Sequence, residues 1–188
     1  KEKIFKVLPK LIGHRGLEGR VYRQVVRKGS PAQRAFSNPA ELGARNLANY
    51  NRSDVRRIEL PWCNAIASAR GLSRVYQALV AGGTLDGVRL MAPETIAPVH
   101  ARQSWVEMDQ VLRKPMGFSQ GFVKEETRLF SPNTEAFMHP GAGGSLGMAD
   151  PKAGIAMAYV MNQMGHHVRS PRALALCHSL YGCLDRLG

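Results

Sequence analysis

Cysteine is scarce in this sequence, aromatic residues are few, acidic residues are outnumbered, and no long apolar run occurs. The 188 residues hold three cysteines, Cys63, Cys177 and Cys183. Three is too few, and an odd number, for a disulfide framework. Cys177 and Cys183 lie six apart on an expected helix, which is not the spacing of a metal pair, so reduced core thiols are expected. No apolar stretch approaches the roughly 20 residues of a membrane helix, so no membrane partner is expected. The N-terminus is not a signal peptide, because Lys6 and Pro9 break its apolar stretch; this favours a cytoplasmic location. The chain also starts without Met, as a processed product or a fragment would.

Acid is the scarcest class relative to its opposite. Lys and Arg number 26 against 14 Asp and Glu, a net charge of +12. The excess is uneven, with 14 basic and 5 acidic residues in positions 1–60. Such asymmetry reads as a solvated basic face, or alternatively as a nucleic-acid or acidic-lipid surface. Aromatic residues make up only 7%, and the basic part offers just Phe5, Tyr22, Phe36 and Tyr50 for stacking. No nucleic-acid motif is present, so a nucleic-acid partner is not expected.

What remains is an ordinary globular composition, 44% apolar and 21% charged, in a length that fits one domain. Residues 1–115 read as mostly helical, a portion of a helical subdomain. Ile4, Phe5, Leu8, Leu11 and Ile12 form one amphipathic stripe, broken by Gly13, Gly16 and Gly19. Residues 29–40 read as loop with one turn of helix. Asn64 is expected to cap a helix over 65–81, ended by Gly82-Gly83. Asp86-Gly87 signals a tight hairpin turn. Pro93 opens a short helix to His100. From 116 to 188 the pattern changes to antiparallel strands with a packing helix. Met116–Lys124, Glu135–His139 and Ser145–Ala149 are candidate strands. Ile155–Asn162 is a continuous apolar run, expected to be covered on both faces. Ser170 caps a last helix with Pro171 in its first turn, and Leu174, Cys177, Leu180, Tyr181, Leu184 and Leu187 form its stripe. The whole predicts an α+β fold, an antiparallel sheet flanked by helices.

The most informative stretch is Phe137 to Gly147, with four glycines in the seven positions 141–147. It is not a phosphate loop. No Gly-Lys-Ser/Thr follows, and Leu146 stands where a dinucleotide fingerprint needs its third glycine. Two readings remain: a glycine-rich strand connection, or a backbone site where accessible N–H groups meet a ligand. Other candidates carry less. His166-His167 lack a third ligand at metal spacing, so no metal is expected. His14, His100 and His178 are isolated. Asp109, Glu125 and Glu126 read as solvated loop charges. Met148, Met157, Met161 and Met164 read as core filling. Trp62 and Trp105 read as packing residues, with a cleft wall as the alternative.

The run His139-Pro140-Gly141-Ala142-Gly143-Gly144-Ser145, then Leu146–Pro151, Gly154-Ile155-Ala156 and Tyr159–Asn162, resembles the C-terminal strands of the serine β-lactamase-like superfamily, in particular the class C-related esterases. Pro61–Ala65, Ala69–Tyr76, Gly82-Gly83, Asp86-Gly87 and Leu90 resemble its helical region. The resemblance spans roughly residues 30–185 and implies an incomplete β-lactamase/transpeptidase-like fold. It implies acyl transfer on a small ester or amide, with no metal or organic cofactor. The family's Lys/His-Thr/Ser-Gly motif falls on His139-Pro140-Gly141. By that resemblance His139 supplies basic or hydrogen-bonding character at the active-site edge. Gly141 permits close approach, and Ala142 donates its N–H to an oxyanion. Pro140 and Gly143 line the substrate. Pro140 lacks the hydroxyl that would meet a β-lactam carboxylate, which favours an ester.

Two of the family's motifs are absent. No serine of the chain is followed three residues later by lysine, and no Tyr-x-Asn occurs. An acyl-transfer serine needs its base within hydrogen-bond reach. The expectation is therefore the C-terminal part of a longer hydrolase, with the nucleophile on a missing N-terminal segment and the 188 residues alone inactive. The alternative is a non-catalytic β-lactamase-like domain that binds a ligand or a partner.

Overall fold

The computed structural model describes residues 4–43, 46–124 and 129–187, with side chains from residue 8 onward. Glu125 and Glu126 lie outside the described residues, as do the side chains of Ile4 and Phe5. Two compact units divide the chain, Lys1–Ile66 with Asp109–Lys114 and Ala67–Met108 with Pro115–Gly188.

The first unit is helical. It holds α1 (Ile4–Gly13), α2 (Leu17–Val26), α3 (Pro31–Phe36) and α4 (Ser53–Arg56), with 3-10 turns at Ala40–Leu42 and Leu47–Asn51. Gly19 lets α2 start close to the preceding turn, since a Cβ there would strike the His14 carbonyl. Arg23 on α2 reaches back to the carbonyls of Ile12 (2.7 Å) and His14 (3.2 Å). Ser30 caps α3 by accepting from the Gln33 N–H at 3.0 Å, with Pro31 in the first turn. Asp109 was expected as a solvated charge. Instead its Oδ1 accepts from the N–H groups of Val111 (2.9 Å) and Leu112 (2.6 Å) and closes a turn.

The second unit begins with α5 (Ala69–Val80). This helix starts later than the sequence predicts. Ser68, not Asn64, is its cap, accepting from the Gly71 N–H at 3.1 Å. Asn64 sits at φ 60° and donates its side-chain amide to Val55 and Ile58. The strands β1 (Thr84–Leu85) and β2 (Val88–Arg89) form the expected hairpin, with Asp86 and Gly87 both at positive φ. Next comes α6 (Pro93–His100), led by its proline. The strands β3 (Ser104–Val106), β4 (Met116–Phe118), β5 (Val123–Lys124), β6 (Phe137–Pro140), β7 (Leu146–Asp150) and β8 (Ile155–Tyr159) follow, and α7 (Pro171–Leu187) ends the unit. All six strands pair antiparallel with their sequence neighbours, in one meander. This is the α+β sheet-and-helix architecture expected from the sequence.

Two local expectations need correction, and β3 has no counterpart among the predicted strands. Met116–Lys124 is two strands, because Ser119 donates to the Phe122 carbonyl (2.9 Å) and Gly121 turns at φ 83°. Strand β3 is too short and exposed to show a period. The apolar run of β8 is half-buried throughout rather than covered on both faces.

Helices lie on both faces of the sheet. On one face α5 crosses β7 and β8. Gly147 makes this possible, since a Cβ there would enter the Tyr76 ring. The core on this side joins Tyr76, Leu79, Ile96, Val99, Phe137 and Ala149. Tyr76, Phe122 and Phe137 meet there with ring centroids 5.1–6.5 Å apart. Alternation along β7 sends Leu146, Met148 and Asp150 to the opposite face, where α7 buries Ala173, Cys177 and Tyr181. The buried side of α7 centres on those three residues. The stripe read from the sequence ran too far, and Leu187 is exposed. Cys177 is a core thiol as expected, whereas Cys63 is half-buried and Cys183 exposed. Trp62, expected to pack, is 60% exposed.

Candidate active site

The end of β6 and the turn that follows it carry every site residue singled out from the sequence. Strand β6 pairs with β7 through Phe137↔Ala149, Met138↔Met148, His139↔Gly147 and Pro140↔Leu146. On its other side the β5 ladder stops at Val123↔Met138. His139 and Pro140 therefore extend past β5, and their outer edge has no strand partner. This explains a proline in a central strand. The Gly141 N–H points to β7, where it bonds the Ser145 carbonyl at 2.8 Å. Antiparallel alternation turns position 140 the other way, toward the unpaired side, so a missing N–H costs no ladder bond there.

His139 is exposed, with its Nδ1 3.3 Å from the Pro140 carbonyl oxygen. Alternation places it on the same face as Phe137. Ala142 is exposed, and its N–H has no acceptor among the described residues. The turn around it is tightly held. Gly144 donates to the Gly141 carbonyl at 3.1 Å. Gly143 and Gly144 adopt φ of 86° and 114°, which glycine alone tolerates easily. Gly143 lies against Met164, Gly144 against the Ser170 hydroxyl, and Gly141 against that of Ser145. At these three positions a Cβ would meet Ser145, Met164 or Ser170, so glycine permits the close packing of the turn.

His100, His178 and His14 make their contacts elsewhere. His100 sits on α6, stacked on Phe137 with centroids 5.3 Å apart, and its buried Nε2 has no partner. Burial, with the Lys124 ammonium second, holds its pKa below the usual histidine value. His178 bonds the Leu129 carbonyl at 2.9 Å, and His14 lies in the helical unit. Among the described residues no three His, Cys, Asp or Glu side chains are placed to hold a metal ion. No described helix is long and apolar enough to cross a membrane. Tyr76, stacked on Phe137 of β6, is unsuited to act as a base. Burial pushes its hydroxyl up to about 12, so it stays protonated at neutral pH.

A second polar cluster, without a signal in the residue pattern, lies on the α7 face. Asp150 is fully buried. Its Oδ2 accepts from the hydroxyls of Tyr181 (2.5 Å) and Ser131 (3.0 Å) and from the Asn133 amide (2.8 Å). Its Oδ1 accepts from the Ala153 N–H at 3.1 Å. Burial raises the carboxyl pKa, but the four donors together outweigh it and hold the group below the ordinary value. The Tyr181 hydroxyl is raised by burial and by its bond to Asp150. This cluster fastens α7 and the 131–133 loop to β7. Lys124, buried on β5, donates to the Glu135 carbonyl at 2.9 Å, and burial lowers its pKa.

The chain holds a sequential antiparallel sheet with helices on both faces, and His139 and a glycine turn stand at the open end of β6. The chain belongs to the Beta-lactamase family, whose model matches residues 15–178. It is 35% identical over 106 residues to Esterase/beta-lactamase LipL of Mycobacterium tuberculosis, a match covering 56% of this chain and 24% of that protein. A family VIII carboxylesterase is similar with TM-score 0.68 at 35% identity, over 79% of this chain and 40% of that one. A penicillin-binding protein homologue from Caulobacter crescentus is similar with TM-score 0.63 at 34% identity, over 73% of this chain and 40% of that one. EstA from Arthrobacter nitroguajacolicus is similar with TM-score 0.64 at 29% identity, over 81% and 41%. The chain thus spans about two fifths of the solved structures it matches and about a quarter of the curated relative. It is a member of an esterase/β-lactamase-like hydrolase family.

Proposed function

We propose that this chain supplies the sheet-end wall of the active site of a serine hydrolase that cleaves a small ester or amide through an acyl-enzyme. The observation that carries the reading is the open end of β6. There a family member presents an exposed His139 beside a hydrogen-bonded turn whose Ala142 N–H has no partner among the described residues. In the proposed reaction a serine attacks the substrate carbonyl and gives its proton to a base. The carbonyl oxygen gains charge and accepts the Ala142 N–H. His139 flanks the reacting group and supplies a hydrogen bond or positive charge. Gly141 and Gly143 let the substrate lie close to the backbone. The leaving alcohol or amine takes up a proton, and water then releases the acyl group. The serine and its base belong to a segment other than these residues, since the chain has neither Ser-x-x-Lys nor Tyr-x-Asn. Pro140, without a hydroxyl, favours esters over β-lactams.

The test is steady-state hydrolysis of p-nitrophenyl acyl esters by the full-length native enzyme and its variants. Ala142→Pro removes the donor, and loss of one oxyanion donor costs ~100–1,000-fold in kcat. His139→Ala is expected to lower kcat/KM as well. Wild-type rates in both variants would show that the site lies elsewhere. The non-catalytic reading is supported by the missing nucleophile. It predicts instead that the full-length protein hydrolyses no ester yet still binds acyl ligands.

A further inference from the structure

We infer that Arg172 is a positioning residue for the turn that carries the Ala142 N–H. The inference rests on the acyl-transfer reading above and adds the group that would keep its oxyanion donor in place.

Gly143 is the link. Its carbonyl accepts from the Gly165 N–H at 2.8 Å and from Arg172 Nη2 at 3.4 Å. The same Nη2 donates to the Gln163 carbonyl at 2.9 Å. One guanidinium nitrogen therefore ties the glycine turn to the segment that runs from β8 into α7. Met164 covers Gly143 and Ser170 covers Gly144 from that same segment. Within itself the turn is closed by the Gly141–Ser145 and Gly144–Gly141 bonds. A sequence of three glycines and an alanine has large freedom to lose, so its conformation depends on what presses on it from outside.

The place of Arg172 is informative. It is the second residue of α7, where the positive end of the helix dipole disfavours a cation. No carboxylate pairs with it among the described residues. Its two carbonyl partners are what hold it there. The donor it positions is one residue away, and a shift of about 1 Å in such a group can cost ~100-fold in rate.

The test uses the full-length native enzyme with p-nitrophenyl esters. Arg172→Ala is expected to lower kcat by ~10-fold or more with KM within about twofold. Arg172→Lys is expected to recover part of that loss, and millimolar guanidinium added to Arg172→Ala a further part. A fold defect alone would show neither the split nor the rescue. Hydrogen exchange provides an arm independent of turnover. The Ala142, Gly143 and Gly144 amides should exchange faster in Arg172→Ala, with β7 unchanged. Wild-type kcat in Arg172→Ala beside a crippled Ala142→Pro would overturn this inference and leave the acyl-transfer reading standing. Wild-type kcat in both would overturn that reading, and unchanged turn exchange would by itself remove Arg172 from the role.

Discussion

Tyr181→Phe should destabilise the protein through one hydroxyl. That hydroxyl donates to Asp150 at 2.5 Å and lies 2.9 Å from Ser131, in a cluster closed to water. A hydrogen bond to a charged group contributes about 1.5–3 kcal/mol, more than a neutral one. Phenylalanine keeps the ring packing, so the loss is that bond, set against two remaining side-chain donors and one backbone donor on Asp150. The expected cost is about 2 kcal/mol. Asp150→Ala is worse, because it leaves the buried Tyr181 and Ser131 hydroxyls, the half-buried Asn133 amide and the Ala153 N–H without that acceptor, at about 1–3 kcal/mol for each buried donor left unpaired. For a protein of this size about 1 kcal/mol moves Tm by ~2–4 °C, so Tyr181→Phe should lower it by ~4–8 °C. The assay is thermal and urea unfolding followed by circular dichroism at neutral pH. The same cluster fixes a pH dependence. The folded carboxyl pKa is lowered, so its stabilisation is present above the unfolded value of ~3.9 and is lost as pH falls through the folded value. The gap between wild type and Asp150→Ala should therefore narrow on acidification below about pH 4. An unchanged Tm in Tyr181→Phe, or an Asp150→Ala variant as stable as wild type, would refute the reasoning.

Further expectations follow from single positions. Gly147→Ala would push a methyl into Tyr76 and should cost about 1–3 kcal/mol in the same unfolding assay. His100 should be less than half protonated at pH 6.5, where an ordinary imidazole is half-charged, because burial and then Lys124 lower its pKa. An NMR titration of its ring carbons reads this directly, and a protonated ring at that pH would contradict it. Pro140→Thr should raise turnover of a chromogenic β-lactam relative to an ester in the full-length enzyme, and an unchanged ratio would remove the hydroxyl argument. Asp86→Asn should change stability by less than about 0.5 kcal/mol. Its ion pair with Arg74 is exposed, and asparagine tolerates the positive φ of that turn.

The sequence was most legible where one local rule dominates. Pro93 and Pro171 open helices, Ser170 caps the last helix with its hydroxyl 3.3 Å from the Ala173 N–H, and Asp86-Gly87 turns a hairpin. These depend on backbone chemistry within four residues. Asn64 misled because its side chain is claimed by carbonyls six and nine positions earlier, a tertiary contact that no cap rule contains. The extent of the α7 stripe misled because apolar spacing does not say where the sheet ends. At the proposed site, His139 through Gly143 stand out in the sequence because they are consecutive. Arg172 and Met164 do not, since their role depends on a chain reversal that brings residues 20 to 30 positions away against the turn. The Asp150 cluster was equally silent, as Ser131, Asn133, Asp150 and Tyr181 show no periodic pattern along the chain.

The central claim is that this chain forms one wall of a serine acyl-transfer site whose nucleophile lies outside it. The most direct measurement is covalent labelling of the full-length native protein with a fluorophosphonate, read by intact mass and peptide mapping. The account predicts one adduct per protein, on a serine followed three residues later by lysine in a segment outside these 188 residues, and slower labelling in Ala142→Pro. An adduct on a serine of this chain, or no adduct at all, would contradict it.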